Sequence, residues 1–298
     1  TDEVIDDLIE KCSFTEAAKL IGEKYPEEVP ARYQLAAEIA DTYEKKKQEV
    51  LNSDTDPQWS EQCHSSEKEK YKYQIHYRVD EKHQLYARFN CIVATDLLPS
   101  VLAVMNESNL YDTWMPSYKF PFRLGLRSSE ILAHLGRSHQ VIRTVVDMPP
   151  PLQTRQCLQH AVAVDGLPEG IFIRAVSPSV DKVKAIIPDY KEDIKLPNTT
   201  DVDVEVNMWI RRCPIDHALY KKDDDAVLLT IVQTVDAHVS FVPPALISFV
   251  TRQVLRRMLL SLLQVAEEVK SGKREQHKKQ MEEKPELYDW VLSRLKEL

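Results

Sequence analysis

Residues 239–270 restrict what this chain can fold into more than any other stretch. They open VSFVPPALISFV, with Pro243 and Pro244 adjacent, and continue TRQVLRRMLLSLLQVAEEVK. Proline suits the first turn of a helix, where the missing N–H would find no partner anyway. Ile247, Val250, Val254, Met258, Ser261, Val265 and Val269 then recur at steps of three and four, one stripe of an α-helix. From Pro243 such a helix runs about 28 residues and about 42 Å. Arg252, Arg256 and Arg257 fall off the stripe. So long an apolar face must lie on something apolar, and the strands before it are the only candidate.

With 298 residues, 43% of them hydrophobic, the chain can build a core for one large domain, or for one with extensions. The net charge of −8 argues against a general nucleic-acid binder. Cys12, Cys63, Cys91, Cys157 and Cys213 form no CxxC pair, so neither a metal site nor a disulfide framework is indicated. Scattered cysteines fit a reducing compartment, and a cytoplasmic location is expected. No apolar run reaches the ~18 residues of a membrane span. The acidic start TDEVIDDLIEK is unlike a signal peptide. It carries no initiator Met, which leaves room for an upstream segment that was removed.

Residues 3–51 read as helices. Ser13-Phe14-Thr15-Glu16 has the spacing of a capping box. Val29, Tyr33, Ala36, Ile39, Ala40, Tyr43 and Val50 mark an amphipathic face. The polar stretch 53–70 reads as a linker, with Trp59 packing locally. Tyr71, Tyr73, Ile75, Tyr77 and Val79 then alternate with polar residues, the period of a half-buried strand. A second strand continues through Leu85, Ala87, Phe89, Cys91 and Val93. Short helices follow, ending near Trp114 and Pro116. Strands are predicted over 128–135, 139–147, 156–164, 170–177, 203–213 and 226–236. The loop 178–202 reads as irregular. Beyond the long helix, a charged stretch leads to a short amphipathic helix from Pro285 with Leu287, Trp290, Val291 and Leu295 on one face. The expected boundaries are 1–52 for an N-terminal helical extension, 53–70 for the linker, 71–270 for the main domain and 271–298 for the charged linker and last helix. Consecutive strands with short turns favour an antiparallel meander with helices segregated to one side. The fold class is α+β: a curved sheet gripping one long helix, with a cavity between them.

Six stretches carry a family resemblance. They are Asn109-Leu110-Tyr111-Asp112-Thr113-Trp114-Met115-Pro116, Ser128-Ser129-Glu130-Ile131-Leu132, Pro150-Pro151-Leu152-Gln153-Thr154-Arg155, Glu169-Gly170-Ile171-Phe172, Asn207-Met208-Trp209-Ile210, and Val235-Asp236 with Phe241-Val242-Pro243 and Leu246-Ile247. In this order and spacing the chain resembles the START family of lipid-transfer domains over about two-thirds of its length. The pattern departs where Gln156 and Cys157 follow Arg155, in place of Asp and an aromatic, and where the last junction lacks its Gly. The resemblance implies a helix-grip (START/Bet v 1-like) fold and non-covalent lipid binding, with the inner face of the long helix as cavity wall.

On that basis Val250, Val254 and Met258, with Leu246, are expected to line the cavity. Without the resemblance the same stripe would be read as core. In sterol-binding relatives an acid and a base face each other across adjacent strands. Aligning 139–147 with 156–164 puts Thr144 and Ala161 there, both neutral. Gln140, Ile142, Val146 and Gln159 share the inferred face, so a sterol or other neutral lipid is expected, held by neutral hydrogen bonds. A one-residue slip would instead put Arg143 and His160 inside. Trp209 is expected to line the cavity, Trp114 either to pack or to line it, and Arg155 to tie its loop to an acidic neighbour.

The resemblance places the gate in the loop Met148, Pro149, Pro150, Pro151, Leu152, which the prolines should hold extended. This loop is expected to touch a membrane surface transiently, with Arg252, Arg256 and Arg257 meeting anionic headgroups. No GxSxG motif or metal-loop spacing is present, so no catalytic residue, metal or cofactor is expected and the protein is read as no enzyme. His134 and His139 read as structural or solvated. Two alternatives stay open: a scaffold with a vestigial cavity that binds a protein through its terminal helices, and a small-molecule enzyme on the same fold.

Overall fold

The computed structural model describes residues 2–53, 55–82, 84–150, 152–190, 199–215, 217–219, 225–238 and 242–298. Helices α1 (Asp2–Glu10), α2 (Phe14–Lys24) and α3 (Ala31–Asn52) open the chain. Tyr33, Ala36, Ile39, Ala40, Tyr43 and Val50 are buried, as the periodicity predicts. The capping box does not form: Ser13 makes no side-chain bond to the helix. Its backbone (φ −85°, ψ 59°) is not extended, and Cys12 before it has φ 63°. That tight α1–α2 turn aims the hydroxyl away from the first-turn N–H groups.

The strands β1 (Ser60–His64), β2 (Lys72–Val79), β3 (Leu85–Ala94), β4 (Ser117–Tyr118), β5 (Leu124–His134), β6 (His139–Asp147), β7 (Thr154–Gly166), β8 (Gly170–Val176), β9 (Thr199–Asp201), β10 (Asp203–Arg212) and β11 (Ala226–Asp236) form one sheet. Its order is β1-β2-β3-β11-β10-β8-β7-β6-β5-β4, antiparallel throughout, with β9 added parallel to β7. β1 lies in the stretch read as a linker. It is a mostly exposed strand at the sheet edge, so it needs no apolar alternation to pair. Helix α5 (Val180–Ile186) and β9 lie in the loop read as irregular. α5 is anchored by one buried residue, Val183, and capped by Ser179, too little to show as a period. The β7–β8 turn needs glycine at Gly170, where φ is 154° and a Cβ would stand 2.3 Å from the Ile210 carbonyl oxygen.

Helix α4 (Leu98–Asn106) and a 3-10 turn, Ser108–Thr113, follow β3. The long helix comprises α6 (Pro244–Phe249), a π turn at Val250–Val254 and α7 (Leu255–Lys270); α8 (Glu275–Glu283) and α9 (Pro285–Arg294) close the chain. The Thr251 hydroxyl donates to the Ile247 carbonyl at 2.9 Å and competes with the helix ladder there. A π turn inserts one extra residue, which rotates everything after it and breaks the single stripe read from the sequence.

Two cores sandwich the sheet. On the inner face Tyr73, Ile75, Phe89, Met208, Ile210 and Leu229 pack on Leu98 and Val101 of α4 and on Leu255, Leu259 and Leu263 of α7. On the outer face Val162, Val164, Phe172 and Trp209 pack under Phe14, Ile21, Tyr33 and Tyr43 of the N-terminal helices. Each such large side chain contributes about 1.5–3 kcal/mol by leaving water. The inner core stops short of β5–β8, and the cavity opens there.

Candidate ligand cavity

A cavity of about 490 Å³ lies between the inner face of the sheet and α7. The alternation of β6 sends Gln140, Ile142, Thr144 and Val146 into it, and that of β7 sends Arg155, Cys157, Gln159, Ala161 and Ala163. Ile171, Ile173, Val204, Val206, Met208 and Ile231 continue the wall on β8, β10 and β11. Met258, Leu259 and Leu262 of α7 form the opposite side, with Trp114 also on the wall. The size is that of a pocket for one small amphiphile.

The face read for β6 and β7 is the one that meets the cavity. Arg143 points outward to Glu130, and the His160 ring lies 5.7 Å from His139 under α2. The pairing differs from the alignment: Thr144 stands opposite Cys157, and Ala161 opposite Gln140. Thr144 and Ala161 therefore share the wall without facing each other. The Gln140 amide is already engaged. It donates to the Asn106 carbonyl at 2.9 Å and accepts from the Ser108 hydroxyl at 3.0 Å. It ties α4 to β6, and Gln159 and Gln233 are amides left toward the cavity.

Four expected wall residues sit elsewhere. Trp209 is on the outer face, its ring 6.3 Å from those of Tyr43 and Phe172. Its neighbour Glu205 shares that face and pairs with Lys46 at 3.2 Å, so the polar neighbours read as a wet cavity belong to the surface under α3. Leu246 and Val254 are buried with Phe249 in a separate cluster, against which Val250 and Leu152 pack. The π turn explains the change: it breaks the phase between Leu246, Val250 and Val254, which meet the cluster under Leu152, and Met258, Leu259 and Leu262 of α7, which meet the cavity.

That loop joins both places. Met148 lines the cavity and Leu152 sits on Leu246, Phe249 and Val254. Pro149 is buried and Pro150 exposed; Pro151 lies outside the described residues. The Leu152 N–H donates to the Pro149 carbonyl at 2.9 Å, so the segment turns back rather than running extended. Beside it Tyr118 and Phe122 pack on Phe249, while Phe120 between them is 87% exposed. The sequence signal for this tip was KFPFR, two aromatics around a proline. Arg252 and Arg257 are exposed. Arg256 is engaged by the Tyr73 hydroxyl at 2.7 Å and Glu69 at 3.2 Å.

The other end is closed by α9, whose Leu287, Tyr288, Trp290 and Val291 line the cavity. Arg294 pairs with Asp165, and the Arg137 guanidinium lies 5.1 Å over the Trp290 ring. Lys284 reaches Glu107, whose side chain is fully buried, at 2.6 Å; the Tyr288 hydroxyl donates to the same carboxylate. Burial pushes the Tyr288 hydroxyl far above its ordinary range, so it stays a donor. The apolar face of 285–298 was legible in the sequence, but its target was not.

Among the described residues no group of three or more His, Cys, Asp or Glu is placed to hold a metal, and no helix is long and apolar enough to cross a membrane. Among the described residues no disulfide forms.

No protein-family model matches the chain, and no curated protein matches it in sequence. Solved structures do match. Human STARD10 superposes with a TM-score of 0.54 at 11% identity, over 85% of this chain and 87% of that one. Human StAR-related lipid transfer protein 5 gives 0.49 at 12% identity, over 78% and 98%. A STAR-related lipid transfer protein fragment from Xanthomonas axonopodis gives 0.47 at 15% identity, over 70% and 99%. The molecule has a START-like helix-grip fold.

Proposed function

We propose that this protein binds one lipid non-covalently in the cavity between sheet and α7, and moves or senses it without turning it over. The observation that carries the proposal is a wall that is mostly apolar yet leaves about 490 Å³ unfilled, where protein interiors normally close-pack. Removing ten CH₂ groups from water would contribute about 8 kcal/mol before ordering costs. The centre of the β6–β7 wall is uncharged, so the body lying on it is that of a sterol or another neutral chain.

Entry is through the 148–152 loop, seated on α6 and the π turn. Exposed Phe120, Arg252 and Arg257 give this region an apolar tip and cations for an anionic membrane surface, at about 1 kcal/mol per cation. The chain's charge of −8 opposes docking, so contact is transient and weakened by salt. The scaffold alternative has less support. The apolar face of α3 is covered by the sheet, and that of α9 faces the cavity, so neither is free for a partner. The enzyme alternative draws no support from a cavity wall with so few polar groups.

The test is transfer of a fluorescent lipid between liposomes. Leu152→Asp, at a residue that lies off the cavity wall, should slow transfer at least tenfold while the amount of lipid bound at equilibrium in detergent stays the same. Unchanged transfer places the entrance elsewhere; loss of binding with the fold intact contradicts a gate role for the loop.

A further inference from the structure

Four charged side chains touch the cavity wall: Arg137, Arg155, Asp165 and Arg294. Arg294 and Asp165 pair with each other, and Arg137 pairs with Glu10 at 3.4 Å. Arg155 has no ion-pair partner among the described residues. It is 6% exposed and stands opposite Val146 on β6, one strand step from the Met148 gate. Its Nη1 donates to the Thr200 hydroxyl and, at 3.4 Å, to the Gln153 carbonyl; its Nε, also buried, has no acceptor. The nearby Asp147 is taken by Arg123 at 2.8 Å and by Arg127. The acidic neighbour expected for Arg155 from the sequence is thus absent among the described residues. Burial without a counter-ion pulls its pKa below the ordinary value.

A buried cation held only by neutral acceptors is unfavourable unless an anion joins it. Guanidinium presents Nε and one Nη as a fork that matches a carboxylate in two parallel hydrogen bonds. Building on the lipid reading, we propose that Arg155 binds the carboxylate head of the cavity's ligand just inside the gate, with the uncharged body running along Ile142, Ala161 and Met258 toward α9. One cation matches one negative charge. A phosphate monoester, with more charge, would call for a second cation that the described wall does not offer at this end.

The experiment is calorimetric titration of the full chain, delipidated, with oleate, methyl oleate, lysophosphatidate and, as a separate arm, cholesterol, each below its aggregation concentration. Oleate should bind at least tenfold more tightly than methyl oleate. Arg155→Gln should erase that preference while methyl oleate binding stays within twofold, and Arg155→Lys should restore part of it. A merely structural arginine would lower both affinities together, or neither. If Arg155→Gln does not fold, the acid-to-ester ratio in the unaltered protein still decides. Equal binding of acid and ester overturns the Arg155 assignment and leaves the lipid reading standing. Tighter binding of lysophosphatidate than oleate overturns the carboxylate assignment. Binding of none of the three, nor of a sterol, sinks the lipid reading and this proposal with it.

Discussion

Met258→Trp separates a hollow interior from a filled one. Met258 is half-buried and lies on the cavity side of α7, beside Leu259 and Leu262. The indole carries six more heavy atoms than the thioether side chain. In a solid core those atoms would force off-rotamer neighbours and cost about 1–3 kcal/mol. In a cavity of about 490 Å³ they have room, and their burial adds at most about 0.8 kcal/mol per carbon. The two cases therefore differ in sign. The hollow case predicts an unchanged or raised melting temperature, the solid case a drop of roughly 2–6 °C for a chain of this size. Function moves the opposite way: the indole occupies ligand volume, so lipid uptake should fall at least tenfold. The assay pairs differential scanning calorimetry with titration of a fluorescent lipid. A lowered melting temperature with undiminished uptake would refute the cavity.

Acid should weaken the N-terminal layer. Burial, with His160 adding to it, pulls the His139 pKa down to about 4 from its ordinary value near 6.5. The neutral ring is favoured in the fold, so this stability is present above pH 6.5 and is lost as pH falls toward 4, about 3 kcal/mol in all. His139→Gln should flatten that part of a stability-versus-pH curve. Glu107→Gln removes the buried carboxylate that holds Lys284 and Tyr288, and should cost about 2–3 kcal/mol in urea unfolding. Hydrogen exchange in 285–294 should rise in the same variant. Phe120→Asp alters an exposed side chain, so it should leave the melting temperature alone and slow liposome transfer severalfold.

Much of the fold was legible because strand alternation and helix periodicity are local signals. β6 and β11 begin and end at the residues the pattern names, and the β6–β7 face follows from parity alone. What was missed depends on distant partners or on an irregularity. Met258 of α7 lines the cavity as the stripe predicts, but Leu246, Val250 and Val254 of α6 and the π turn do not, because no property of Thr251 in the sequence announces a π turn. Trp209 was put on the wrong face because its polar neighbours fit a wet cavity as well as a surface, and only α3 packing over it distinguishes them. β1, α5 and β9 are short elements with few buried residues, so they leave little pattern. The closing role of α9 and the lack of an ion-pair partner for Arg155 among the described residues are facts about three-dimensional neighbours, invisible to periodicity.

Native mass spectrometry of the purified full chain tests the central claim most directly. The expected result is a bound mass of one lipid per chain, released by organic solvent, and markedly reduced in the folded Met258→Trp protein. A protein that stays at its bare mass after incubation with sterol, fatty acid and phospholipid vesicles would contradict it.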